Sequence, residues 1–187
     1  MQFLSKQKER SQKLDENESK KANKIFWKFI IIYQISKGAD WCLGPFVYEF
    51  FNTYHGLKTE AIAKMLAISF ASNLFMGPLI IGYLNDQKNK KIPCILFGIL
   101  LGISCSIRIV KNCLPCLLCS QVCFGVASSI LYSSFENWFI SEVELQIKDK
   151  EVRDFTLTAA FEKSMIGDAL TAVFVSLFAG VLKVCML

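Results

Sequence analysis

The placement of charge along this chain restricts its fold more than any other feature. Charged residues gather in the first 24 positions and in a few short clusters, and five long apolar runs lie between them: Ile25–Phe51, Ala61–Leu84, Ile92–Ile109, Leu114–Ile140 and Thr158–Leu187. A helix needs about 20 mostly apolar residues to cross a hydrocarbon core of roughly 30 Å. Overall composition would not decide the matter, because 53% hydrophobic residues lies close to the ~45–50% of ordinary globular domains. A transmembrane β-barrel would show alternating polarity over stretches of about 10 residues, and these runs do not alternate. The pattern predicts an all-α, multi-pass membrane protein with one spanning helix for each run.

Residues 1–24 read differently. They carry Lys6, Lys8, Arg10, Lys13, Lys20, Lys21 and Lys24 beside Asp15, Glu16 and Glu18, with few apolar residues. Such a segment buries too little surface to offset its chain entropy, which predicts a disordered basic tail. The first apolar run is too long for a signal peptide and no small-residue cleavage site follows it, so it is expected to stay as the first membrane helix. The tail suits contact with anionic lipid headgroups, and its interspersed acids argue against nucleic acid.

Lys and Arg favour cytoplasmic flanks. The tail with Lys28, the cluster Lys88, Lys90 and Lys91, and the cluster Lys148, Lys150 and Arg153 would share one side; Lys58, Arg108, Lys111 and Lys183 would share the other. The asymmetry predicts a cytoplasmic N-terminus, cytoplasmic loops after the second and fourth helices, and a C-terminus on the opposite side.

Charges inside spanning segments are costly and are usually paired or functional. Lys37 and Asp40 stand three apart in the first run, close enough on a helix to neutralise each other, and Pro45 beyond them is expected to kink the helix. Interrupted helices of this kind point to transport sites. Glu136 is an isolated acid late in the fourth run, beside Trp138. Glu162, Lys163 and Asp168 lie in the fifth, with Asp168 the deepest. Gly98 and Gly102 form a GxxxG pair, and Gly125 with Ser129 a similar small pair, both suited to close helix packing.

Cys113, Cys116, Cys119 and Cys123 fit a C-x₂-C-x₂-C-x₃-C iron–sulfur spacing. Phe124 follows the last one, no second set exists, and the segment opens an apolar helix, so the simpler reading is small buried apolar residues. No disulfide framework is readable among the eight cysteines. His55 is the only histidine, and no phosphate-cradling glycine loop or H-E-x-x-H motif occurs. Neither an enzyme nor a cofactor is predicted.

The loop Gly82-Tyr83-Leu84-Asn85-Asp86-Gln87-Lys88-Asn89-Lys90-Lys91 resembles the conserved cytoplasmic loop between the second and third helices of the major facilitator superfamily. Gly82, Asp86, Lys90 and Lys91 match its pattern, while Gln87 and Asn89 replace a cation and a glycine. Asp40-Trp41, Gly44-Pro45-Phe46-Val47-Tyr48 and Tyr54-His55, together with Phe135-Glu136-Asn137-Trp138-Phe139-Ile140-Ser141-Glu142, are similar to the molybdate-anion transporter branch. Gln121 stands where that branch has an arginine, Lys37 where it has an apolar residue, and Lys163 aligns loosely with an arginine of its fifth helix.

The resemblance implies an incomplete N-terminal helix bundle that moves a small inorganic oxyanion, molybdate or similar, by alternating access. Gly82, Asp86, Lys90 and Lys91 would be gate contacts. Lys37, Asp40, Glu136, Lys163 and Asp168 would line the cavity, with Lys37 or Lys163 as the cation facing the anion. The superfamily has about twelve helices in two halves with the substrate between them. The expected partners are therefore the bilayer, the oxyanion, and a second half-carrier or other membrane subunits. A truncated product, or a structural subunit that transports nothing, is the alternative reading.

Overall fold

The computed structural model describes the backbone of residues 2–86, 89–111 and 113–186, and side chains within 17–178 apart from Pro45 and Asn85. Gln87 and Lys88 of the motif loop, and the side chains of Pro45, Lys183 and Cys185, lie outside that set. The described residues contain helices and no strand. The order is α1 (Gln2–Glu49), a wider π-helical turn (Phe50–Tyr54), α2 (Thr59–Asn85), α3 (Ile92–Arg108), α4 (Leu114–Gln146) and α5 (Lys150–Met186). The described residues form an all-α bundle.

Thr59–Leu84 and Leu114–Gln146 are each long and apolar enough to span a bilayer, and Ile92–Arg108 is a shorter apolar helix. The apolar run of α1 is interrupted near its centre by Lys37 and Asp40, and that of α5 by Glu162 and Lys163 near its start and by Asp168 deeper in. Two of these interruptions neutralise each other across the helix pair, as described below.

The contacts fix the direction of each helix. Phe29 stacks on Phe139 with ring centroids 4.2 Å apart, Tyr33 meets Phe135, and Asp40 meets Ser128, so α1 and α4 are antiparallel. Glu18 reaches Asp149 and Lys37 reaches Asp168, both with a separation of 131 residues, so α1 and α5 run side by side in one direction. The Ser69 carbonyl approaches Gly125 and the Asn73 carbonyl accepts from Ser129 Oγ, so α2 and α4 are parallel. Ser104 Oγ donates to the Ser120 carbonyl across the antiparallel α3–α4 pair. Directions alternate along the chain, as repeated crossing of a slab requires.

Helix α4 is central. It buries residues on several faces, including Gly125, Ala127, Ile130, Leu131, Phe135, Phe139 and Val143, because α1, α2 and α3 all pack on it. Helix α3 buries one stripe of Pro93, Phe97, Ser104 and Arg108, at the spacing of a single helix face. Gly98 and Gly102 lie off that stripe and a Cβ at either would meet nothing. The close approach is instead at Gly77 and Gly125, where an added Cβ would collide with Ser129 and with the Ser69 backbone respectively. The Gly125–Ser129 pair thus forms the α2–α4 seam, and the GxxxG pair does not pack.

The composition of residues 1–24 predicts a disordered tail, but α1 carries helix through them from Gln2. Ala22 is buried, and the Glu18 carboxylate accepts from the Asp149 backbone N–H at 3.0 Å. Lys, Gln, Glu and Ala are good helix formers, and a helix nucleated by the apolar run extends backward through them cheaply. At the far end, Gly56 takes φ +66°, a conformation that favours glycine. Its turn lets the Leu57 N–H reach the Phe51 carbonyl at 3.1 Å and close the helix.

Cys113 and Cys116 are joined by a disulfide at the start of α4. This corrects the reading of those cysteines as plain buried residues. Cys113 is the N-cap of α4, and the first helical turn brings the residue three positions on alongside it. Cys42, Cys94, Cys105, Cys119 and Cys123 are free thiols.

Candidate functional site

The polar residues of the membrane segments converge where α1, α4 and α5 meet. Asp168 is midway along α5, and Ser128 and Tyr132 flank the middle of α4, which sets the site near the centre of the bundle. Lys37 Nζ donates to Asp168 Oδ2 at 3.0 Å, with the lysine side chain 5% exposed and the aspartate 25%. Three aromatic faces enclose the ammonium: Tyr132 at 4.3 Å, Tyr33 at 5.2 Å and Trp41 at 5.3 Å. Cation–π contacts of this kind strengthen as water is excluded.

Lys37 and Asp40 do not pair with each other, contrary to what their spacing suggests. Asp40 turns to α4 and accepts from Ser128 Oγ at 2.7 Å. Side chains three apart on a helix diverge by roughly 60° at 3.6 residues per turn, and here each finds a different neighbouring helix. Glu136, half-buried on α4, lies within electrostatic reach of Lys37 and Asp168.

Gln34 holds the cluster together, and nothing in the sequence singled it out. Its Nε2 donates to the Ser164 carbonyl at 3.0 Å and to Asp168 Oδ1 at 3.2 Å, while its Oε1 accepts from Thr171 Oγ1 at 2.9 Å. A neutral amide one turn before Lys37 on the same face is the only signal that could have pointed to it. Gly167 makes room: a Cβ there would run into the Gln34 side chain. Trp41 Nε1 donates to Tyr132 Oη at 3.0 Å, which fixes two walls of the aromatic enclosure.

Lys163 is not part of this cluster. Its ammonium sits over Phe26 at 5.2 Å and Trp27 at 5.7 Å, reaching back toward the N-terminal end of α5 as long helical side chains do. Gln121 is likewise apart. It lies two turns before Ser128, about 10 Å along the helix, is 1% exposed, and its Nε2 has no partner among the described residues. Arg108 reads in sequence as a flanking cation but is 5% exposed, with its guanidinium 4.8 Å from the Phe124 ring.

The motif loop closes one end of the bundle. The Asp86 backbone N–H bonds to the Gly82 carbonyl at 3.3 Å and ends α2. The Lys91 backbone N–H bonds to Asn89 Oδ1, and Lys91 Nζ stands 3.6 Å from Glu142 Oε2 on α4. Asn89, Lys90, Lys91, Trp138, Ser141, Glu142 and Leu145 line a cleft of about 270 Å³. Lys91 is thus brought to α4, while the Asp86 carboxylate faces outward. An exposed pair of this sort contributes little stability, typically ~0–1 kcal/mol, and breaks easily.

A family model described as sugar transporters with twelve transmembrane segments matches residues 3–185. Among curated proteins, the molybdate-anion transporter of Xenopus tropicalis is 32% identical over 116 residues, covering 62% of this chain and 25% of that protein. That of Takifugu rubripes is 26% identical over 133 residues, 71% of this chain and 27% of its own length. The chain therefore spans about a quarter of the curated relatives it matches. No solved structure gives a significant match.

Proposed function

The chain belongs to the major facilitator superfamily, in the family of twelve-segment sugar transporters, and from that membership we propose that it supplies part of the substrate path of an oxyanion carrier. Its cargo is a small inorganic oxyanion of the molybdate type, moved by alternating access. The observation that carries this reading is the mid-bundle cluster, where a buried lysine pairs with Asp168 amid hydrogen-bonded polar side chains from three helices. Lys37 is the cation for the anion. Tyr132 Oη accepts from Trp41 and keeps its own O–H as a further donor beside it, and Asp40 with Ser128 forms the α1–α4 wall. The names of the relatives support molybdate as the first substrate to try.

Lys91 and Glu142 form the breakable contact at the motif end, in keeping with a gate that opens by separating helix ends. The N-terminus is cytoplasmic in this reading. The start of α1, residues 86 and 89–91, and the 147–149 turn lie at one end, and the sequence around them carries most of the Lys and Arg residues, in keeping with the charge bias of cytoplasmic loops. The Cys113–Cys116 disulfide lies at the other end, in keeping with an oxidising compartment there.

Uptake of labelled molybdate into vesicles tests the proposal. The protein should fill vesicles several-fold faster than empty controls, and Asp86→Asn should slow it. Uptake no greater than in empty vesicles removes the reading that this chain transports by itself and leaves those of a structural membrane subunit and of a truncated product.

A further inference from the structure

Arg108 is a buried cation that lacks a counter-charge among the described residues. It closes α3, and its guanidinium lies 4.8 Å from the Phe124 ring of α4. Its Nε and Nη2 are both buried, and neither has a hydrogen-bond partner among the described residues. The ionisable side chain within its electrostatic reach there is Cys105, not a carboxylate. Lys37, by contrast, rests on Asp168. An isolated charge is very costly to bury, and buried donors left open in a folded protein point to a bound ion or water.

The open atoms define what suits the place. Nε and Nη2 lie on one edge of the planar guanidinium and aim two N–H bonds in parallel, an arrangement that takes two oxygens of one anion. The Phe124 ring offers no lone pair to that edge. Gln121 stands one turn before Phe124 on α4. It is buried as well, and its Nε2 is a third donor with no partner among the described residues. The backbone here is held in place. His55 Nε2 donates to the Arg108 carbonyl at 2.8 Å and Tyr54 Oη to the Ile109 carbonyl at 3.1 Å, which ties the end of α3 to the end of the π-helical turn. The exposed Lys111, over the Tyr54 ring, adds positive charge at the same end of the bundle, and such charge draws anions.

We propose that Arg108 and Gln121 form a second oxyanion site, separate from the Lys37 cluster: a tetrahedral oxyanion meets the Nε–Nη2 edge of Arg108 through two oxygens and the Gln121 amide through a third. The site rests on the oxyanion reading above for the choice of molybdate as probe, but it stands on different residues. No protein carboxylate has to be displaced from Arg108, because the anion itself supplies the missing negative charge. The site lies toward the end of the bundle opposite the motif loop, so it holds an anion on the far side of Lys37 from the Lys91–Glu142 contact.

Calorimetric titration of the purified protein in lipid nanodiscs with molybdate tests this. The wild type should bind two molybdate ions per chain. Arg108→Lys keeps the charge and loses the paired N–H edge. It should weaken one of the two sites about tenfold or more, the effect of losing a charge-assisted hydrogen bond, and Lys37→Gln should weaken the other. Binding that Arg108→Lys leaves unchanged overturns the Arg108 site, and the cargo reading stands if Lys37→Gln still weakens it. Binding lost with Arg108 and indifferent to Lys37 does the reverse. No binding by the wild type overturns both. Thermal unfolding supplies a second measurement. In buffer free of oxyanions, Arg108→Met should unfold no earlier than the wild type, because it removes a buried charge that has no partner. Molybdate should then raise the wild-type midpoint more than that of Arg108→Met. A marked loss of stability in Arg108→Met without oxyanion would mean that the guanidinium already has a partner in the protein, and it overturns the site.

Discussion

Two seams of this bundle are built on opposite principles. Between α2 and α4, backbones approach so closely at Gly77 and Gly125 that no side chain fits, and Ser129 Oγ reaches the Asn73 carbonyl only at 3.4 Å. Between α1 and α5, the contact is a set of side-chain hydrogen bonds around Gln34, Lys37, Asp168 and Thr171. A steric seam has one arrangement, because packed surfaces give way at a cost rather than continuously. A polar seam can exchange partners, because a ligand, water or proton can take the place of either side. On the proposed function, α2–α4 is the frame and α1–α5 the working part of the molecule.

The largest effect should come from the frame. Gly125→Leu places a side chain against the Ser69 carbonyl, the Ser72 side chain and the Asn73 backbone. Overpacking typically costs ~1–3 kcal/mol and more where backbone must move, so this variant should yield little monodisperse protein on size exclusion. Gly98→Leu is the matched control, since its Cβ meets nothing, and should behave as wild type. Equal yields for the two variants would remove the contrast between the seams.

Lys37→Met should have the next largest effect. It strands Asp168, and breaking a buried pair from one side costs roughly 3–5 kcal/mol, with less here because Asp168 is a quarter exposed. Lys37→Met with Asp168→Asn should recover most of that loss in thermal unfolding, since no charge is left behind. A double variant no more stable than the single would mean that the pair does not hold the seam.

The frame was largely legible in the sequence, and the site only in pieces. Apolar runs of spanning length announced the helices, and the small pair Gly125 and Ser129 marked the α2–α4 contact. Gly98 and Gly102 carried the same signal but lie on the wrong face of α3, which spacing alone does not reveal. Lys37, Asp40, Glu136 and Asp168 stood out as charges in apolar surroundings. Their pairing did not, because Lys37 and Asp168 are 131 residues apart while Asp40 is a nearer and more obvious partner. Gln34 was silent because a single amide in a membrane helix is cheap enough to need no explanation. The helical start of α1 escaped notice because a composition too polar to form a core of its own says little about a helix extended from a neighbouring apolar one.

The claim that the polar seam is the substrate site is tested most directly by molybdate uptake in two lysine variants. Lys37 lies in the seam, and Lys163 lies on α5 over Phe26 and Trp27. In vesicles with matched amounts of folded protein, Lys37→Gln should lose uptake by at least tenfold, while Lys163→Gln should keep most of it. Undiminished uptake by Lys37→Gln would contradict the account.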